Sequence, residues 1–172
     1  ARPVESRLAS LAELLGVYLS VTGWGHLLAN FMLRTSDNLP VRNADLLVVN
    51  RNSLERIMHS CLNGPADIAI EVVSAESTVR DYGTKFREYE LGRVQEYWSF
   101  DPERRMATIF ELAENGLYRA RRTDNEGRLT SGVLHPFRVD PAMFWADTPP
   151  NGAENLRLVA EMLDVPVESL LK

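Results

Sequence analysis

The stretch that most restricts how this chain can fold is "ADIAIEVV", residues 66–73. A strand with one wet face alternates apolar and polar residues, whereas Ile68, Ala69 and Ile70 follow one another without a break. One carboxylate, Glu71, interrupts the run. An ionised carboxylate buried without a partner costs several kcal/mol or shifts its pKa until it is neutral. Glu71 therefore needs a cation, a hydrogen-bonding partner, or solvent at the strand end.

The flanking patterns place this strand in a larger design. "VESRLASLAELLGVYLSV" carries Leu8, Leu11, Leu14, Leu15 and Tyr18 at helical spacing and predicts an amphipathic first helix. "GHLLANFMLRT" and "RNADLLVVN" read as two strands joined by a turn at "SDN". "RNSLERIMHSCLN" predicts a short helix capped by Ser53 and stopped by Gly64 and Pro65. After the central strand, Ser74 or Ser77 caps a helix whose apolar positions are Val79, Tyr82, Phe86 and Tyr89, with Gly92 ending it at a C′ site. "QEYWSFD" follows as a strand, "RMATIFEL" and "LYRARRT" form a hairpin around Asn115 and Gly116, and "NGAENLRLVAEMLDVPVESLLK" closes the chain with one or two short helices. A helix, hairpin-like strands, a crossover helix and a further strand describe an α/β or α+β domain built on a mixed sheet.

With 172 residues, the chain is expected to form a single domain over 1–172, with a core over about 5–146 and a C-terminal helical extension over 147–172. No apolar run approaches the roughly 18 residues that span a bilayer, and "ARPVESRLAS" lacks a signal-peptide apolar region, which predicts a cytoplasmic protein with no membrane association. The chain starts without Met, which leaves open further residues ahead of Ala1. Cys61 has no partner for an internal disulfide and reads as a packing residue beside Leu62. A net charge of −5 argues against an obligate non-specific nucleic-acid binder, though not against an enzyme that meets phosphate through a metal and local arginines.

Asp45, in "ADLLVV", is a second acid in an apolar setting. Acids on consecutive strands invite a shared cation, since Mg²⁺ takes hard oxygen ligands and keeps several waters beside one or two carboxylates; the backbone carbonyl of Val72 is the expected third oxygen, and Mn²⁺ is an alternative ion. Lys85, on the crossover helix, is placed to orient or help deprotonate an attacking water and to stabilise developing negative charge. Together these groups are the means of phosphodiester hydrolysis. Blander readings stand beside this one. Asp45 begins a strand, Glu71 pairs with an arginine, or Lys85 pairs with Asp81 at i,i+4 spacing on the surface.

The run "PADIAIEVVSAESTVRDYGTKFREYELGRVQEYWSFDPE", residues 65–103, resembles the Uma-two-type restriction endonucleases, a family of the PD-(D/E)xK nuclease superfamily. Asp67, Glu71, Val72, Ser74, Arg80, Asp81, Lys85, Tyr89, Glu96, Tyr97, Trp98, Asp101 and Pro102 stand where the family pattern has them, and the similarity extends over about residues 26–146. It departs from the pattern in two places: Ala44 stands for the usual Pro before the first acid, and Val73 occupies the lysine position of a plain D/E-x-K triplet. The second departure is typical of the family, whose lysine is carried by the following helix, here Lys85. The resemblance implies a restriction-endonuclease-like mixed β-sheet core flanked by helices, with Asp45, Glu71 and Lys85 catalytic and Asp45, Glu71 and the Val72 carbonyl binding Mg²⁺ or Mn²⁺. No organic cofactor is expected.

Among secondary candidates, Asp67 is expected to cap the strand entrance, and Glu96 either supports a second metal, bonds the Lys85 amine, or is structural. Tyr97 and Trp98 alternate across a strand, so at least one is expected in the core. His26, His59 and His135 lack ligand-like neighbours. The leading functional expectation is a Mg²⁺-dependent DNA endonuclease. The alternatives are a catalytically inactive nuclease-fold module that binds nucleic acid or a protein partner, and a metal phosphoesterase acting on RNA or a small nucleotide. Cutting both strands of a duplex calls for two sites, so a homodimer is expected, with Leu156, Leu158, Met162 and Leu163 of the last helix as a candidate interface.

Overall fold

A computed structural model describes residues 4–73 and 79–172, without the side chains of Val4, Val79, Arg80 and Asp81. The expected caps Ser74 and Ser77 and the alternative ion pair through Asp81 lie outside what it describes. A first helix, α1 (Val4–Thr22), leads into β1 (Gly25–Arg34) and β2 (Arg42–Asn50). After a short β3 (Leu62–Asn63) come β4 (Ile68–Val72), α2 (Val79–Leu91) and β5 (Glu96–Asp101). A hairpin of β6 (Met106–Leu112) and β7 (Tyr118–Ala120) completes a seven-stranded sheet of order β3-β1-β2-β4-β5-β6-β7. β8 (Leu129–Thr130) and β9 (Arg138–Val139) form a separate small sheet, and α3 (Gly152–Leu163) follows.

The sheet is mixed. β2 runs antiparallel to β1 and β4, and β4 runs parallel to β5, with α2 as the crossover between them. Parallel neighbours joined through a helix bury both faces of their strands, which explains the missing alternation in 66–73. Ile68 and Ile70 face α1 together with Leu46, Val48 and Trp98, while Ala69 faces α2 together with Leu47, Val49 and Tyr97. Two apolar cores thus sandwich β2, β4 and β5. On the first, Tyr18 of α1 donates from its hydroxyl to the Leu134 carbonyl at 2.6 Å. Both Tyr97 and Trp98 are fully buried, one in each core.

Three local expectations are corrected. "RNSLERIMHSCLN" forms a 3-10 segment over Arg51–Arg56 that is kinked at Ser53, followed by β3 pairing parallel to β1. Its cap is Asn50, whose side chain accepts from the Asn52 amide, and Ser53 within it is non-helical, so the capping oxygen sits three residues earlier than expected. At the end of α2 the left-handed residue is Arg93 (φ 64°), with the Arg93 amide bonded to the Glu90 carbonyl and the Val94 amide to that of Tyr89, a Schellman closure. Gly92 is required for another reason: a Cβ there would lie 2.5 Å from the Thr35 hydroxyl oxygen. Finally, α3 turns most of its apolar stripe into the molecule. Of the residues expected at an interface, Met162 enters the α1-side core and Leu158 and Leu163 pack against it, which leaves only the half-buried Leu156 outside that core.

Candidate active site

The register of β2 and β4 pairs Leu46 with Ile70 and Leu47 with Ala69, and one further step sets Asp45 opposite Glu71 at the strand ends. Directly opposed side chains share a face. The face is that of Ala69 and α2, so both acids lie beneath the crossover helix. From that helix Lys85 brings its Nζ to 3.1 Å from Glu71 Oε2 and within 3.4 Å of the Asn43 carbonyl. One turn further on, Tyr89 donates its hydroxyl to Glu71 Oε1 at 2.6 Å. Asp45 is held from the other side, its Oδ2 accepting from the Val72 amide at 2.7 Å. Val72 therefore meets the site through its N–H; the third oxygen expected of its carbonyl is a separate matter from this contact.

Burial is the dominant influence on Glu71, which is 6% exposed, and it pushes the carboxyl from the ordinary 4.5 up to about 7. The ammonium of Lys85 and the Tyr89 hydrogen bond pull in the opposite direction, and the charge of Asp45 adds to the rise. Burial beside Glu71 also pushes the Tyr89 hydroxyl well above the usual tyrosine range, so that it remains a donor. The mouth of the site is a cleft of about 250 Å³ lined by Arg42, Glu71, Tyr82, Thr84, Lys85 and Tyr97, among others. Arg42 forks onto Glu88 of α2, with Nη2 to Oε1 at 2.7 Å. Among the described residues Tyr97 Oη makes no well-directed hydrogen bond, the Ser99 side chain being its weakly aligned polar neighbour.

The donor set suits a hard divalent ion. Glu71 lines the cleft and Asp45 stands opposite it across the strand pair, one oxygen of each accepting from an uncharged donor, and among the described residues no group of three or more His, Cys, Asp or Glu assembles a closed cage. An ion there would take the two acids and complete its shell with water or substrate oxygen, the arrangement Mg²⁺ prefers.

Two expected supporting acids are not brought to this place. Asp67, at the opposite end of β4, accepts from the Asn50 amide at 2.8 Å and ties the strand entrance to the end of β2. Glu96 begins β5 on the α1 face, where its carboxylate accepts from Trp98 Nε1, the Ser131 hydroxyl and the amides of Gly132 and Val133. Sequence reasoning overlooked the contact of Tyr89 with Glu71. The signal for it was the i,i+4 spacing of Lys85 and Tyr89, which puts both on one helix face.

The fold is shared with a crystallised "putative nuclease belonging to DUF820" from Anabaena variabilis, which superposes with a TM-score of 0.62 at 12% identity, over 84% of this chain and 82% of that one. The two chains thus share an α+β mixed sheet with flanking helices. The family Uma2, described as "Putative restriction endonuclease", matches residues 4–140, and the chain belongs to that family. No curated protein matches the sequence. Among the described residues no helix is long and apolar enough to cross a membrane.

Proposed function

We propose that the protein is a metal-dependent endonuclease that hydrolyses phosphodiester bonds of DNA at Asp45, Glu71 and Lys85, with Mg²⁺ or Mn²⁺ as the ion. Membership of a restriction-endonuclease family supports a nuclease, and one observation of the site carries the finer reading. A buried glutamate on a central strand has a lysine ammonium 3.1 Å away, delivered by the crossover helix, where a plain D/E-x-K triplet would have carried it on the strand.

Asp45 and Glu71 would hold the ion, which when bound neutralises phosphate charge and makes a coordinated water more acidic. The other tasks belong to the chain. Lys85 lies at the cleft wall with its ammonium facing a carboxylate oxygen, where it can orient an attacking water and stabilise charge that develops on the phosphate. The Val72 amide and the Tyr89 hydroxyl hold the two acids from behind. The substrate enters as an extended phosphodiester, and a homodimer would place two such clefts about a two-fold axis for the two strands of a duplex.

The deciding experiment is cleavage of supercoiled plasmid with Mg²⁺ or Mn²⁺ by the parent and by Glu71→Ala. Metal-dependent nicking or linearisation by the parent that is lost in the variant supports the proposal. DNA retention without cleavage at any metal concentration would identify a nuclease-fold binding module instead, and cleavage confined to RNA or nucleotides would identify a phosphoesterase.

A further inference from the structure

We propose that Tyr89 is a positioning residue that fixes the plane of the Glu71 carboxylate, so that Oε1 is held inside the protein and Oε2 alone is presented to the cleft. The hydroxyl donates to Oε1 at 2.6 Å, while Oε2 faces Lys85 Nζ at 3.1 Å. A carboxylate at the end of a glutamate side chain rotates about a soft terminal torsion, and a single directed donor removes that freedom. The tyrosine itself cannot follow such a rotation. Its residue is 1% exposed, and its ring centroid lies 5.5 Å from that of Tyr97, packed in the α2-side core.

The spacing strengthens the assignment. Lys85 and Tyr89 lie one helical turn apart on α2, so a single rigid element delivers one group to each oxygen of one carboxylate. Asp45 is treated in parallel: the Val72 amide holds Oδ2 at 2.7 Å. Each acid thus has one oxygen anchored by an uncharged donor of the protein. Tyr89 restricts Glu71 to offering one oxygen to a ligand in the cleft, as a partner behind a metal ligand does. A tyrosine that served packing alone would need only its ring.

The functional half of this inference rests on the nuclease reading; the orientation of Glu71 does not. The test is Tyr89→Phe, which keeps the ring. Crystal structures of parent and variant, both stripped with EDTA, are expected to show the ring in place and the Glu71 carboxylate turned or split between orientations in the variant only. Mn²⁺ titration followed by electron paramagnetic resonance is expected to show affinity about tenfold weaker in the variant, the lower end of what loss of such a partner costs. In a Glu71→Ala background, adding Tyr89→Phe should change Mn²⁺ affinity no further. In cleavage at saturating metal, kcat should fall while KM for DNA is unchanged.

An unchanged Glu71 orientation together with unchanged Mn²⁺ affinity in Tyr89→Phe overturns the proposal and leaves Tyr89 a packing residue. If the variant does not fold, the parent still decides: a slowly exchanging Tyr89 hydroxyl proton close to the Glu71 side chain is expected by NMR, and a freely exchanging one refutes the positioning role. If parent and Glu71→Ala bind Mn²⁺ equally, the nuclease reading fails at its metal, and the EDTA-stripped structures still judge the orientation.

Discussion

Glu71 and Glu96 are both buried carboxylates on the neighbouring parallel strands β4 and β5, and they are partnered in opposite ways. Glu96, 1% exposed, accepts from four donors, all within 3.0 Å and all supplied by Trp98 and residues 131–133. Its oxygens are used up in pinning a loop to the sheet. Glu71 has a tyrosine on one oxygen and a lysine on the other, and it opens onto a cleft. A saturated carboxylate is a structural joint, whereas one held on a single side by a neutral donor, with a partly exposed ammonium at its other oxygen, has capacity left for a ligand.

The sharpest way to break this contrast is to remove the cation. Lys85→Met keeps the stem that lies along the helix and deletes the ammonium, and it should lower DNA cleavage by about two to three orders of magnitude, the scale of losing one electrostatic stabiliser. Folding and Mn²⁺ binding should remain close to the parent, since Lys85 is partly exposed and Glu71 keeps its Tyr89 partner. Parent-like cleavage by Lys85→Met at saturating metal would remove Lys85 from the reaction.

The mirror experiment is Glu96→Ala. It strands four donors beneath the 131–133 loop, each left without its acceptor in a site where water enters poorly, and should cost about 3 kcal/mol or more. Denaturant unfolding should therefore show a large drop in midpoint, while the folded fraction retains parent-like kcat. A Glu96 variant that stays fully stable but loses cleavage would reverse the roles assigned to the two acids.

A subtler difference lies in pH. Glu71 titrates at about 7 in the folded protein and at about 4.5 when unfolded, so between those values the native state holds a proton that the unfolded chain has released. Its contribution is therefore fully present below about pH 4.5, declines as pH rises, and levels off above about pH 7, a loss on the order of 3 kcal/mol for a group so deeply buried. Asp101 and Glu111, lowered by their arginine partners, act with the opposite sign at lower pH. Subtracting the unfolding free energy of Glu71→Gln from that of the parent, both in EDTA, isolates the glutamate. A difference that does not fall across this window would refute the shift.

How much of this was readable in the chain depends on the range over which each partner acts. The central strand and the crossover helix were legible because the unbroken Ile68-Ala69-Ile70 run and the Tyr82, Phe86, Tyr89 spacing are local patterns. Asp45, Glu71 and Lys85 could be grouped because neighbouring strands and a helix packed on them bring acids and a lysine to one end. The saturation of Glu96 was not legible, since three of its four donors lie 35 to 37 positions away in a loop with no periodic signal. Tyr89 was hidden for a different reason: an aromatic residue at an apolar helix position reads as core, and the i,i+4 spacing with Lys85 places it on the right helix face without showing where its hydroxyl points. The segment after β2 misled because Ser53 offers a helix cap, while the neighbouring Asn50 already supplies one to a tighter turn.

Asp67 supplies the smallest effect and the cleanest control for the comparison. It stands just ahead of β4, four residues before Glu71, yet its side chain accepts from the Asn50 amide at 2.8 Å and is only partly buried. Asp67→Ala removes that side-chain link while the bond from the Asp67 amide to the Val48 carbonyl stays, and should cost about 1 kcal/mol, the ordinary net worth of one such bond. Asn50 keeps its own capping contact with the Asn52 amide, so the 3-10 turn that follows should persist. Cleavage and Mn²⁺ affinity should match the parent, because the substitution is at the far end of the strand from the cleft. Loss of metal affinity in Asp67→Ala would mean that the ion site extends along β4 and that Glu71 is not its anchor on that strand.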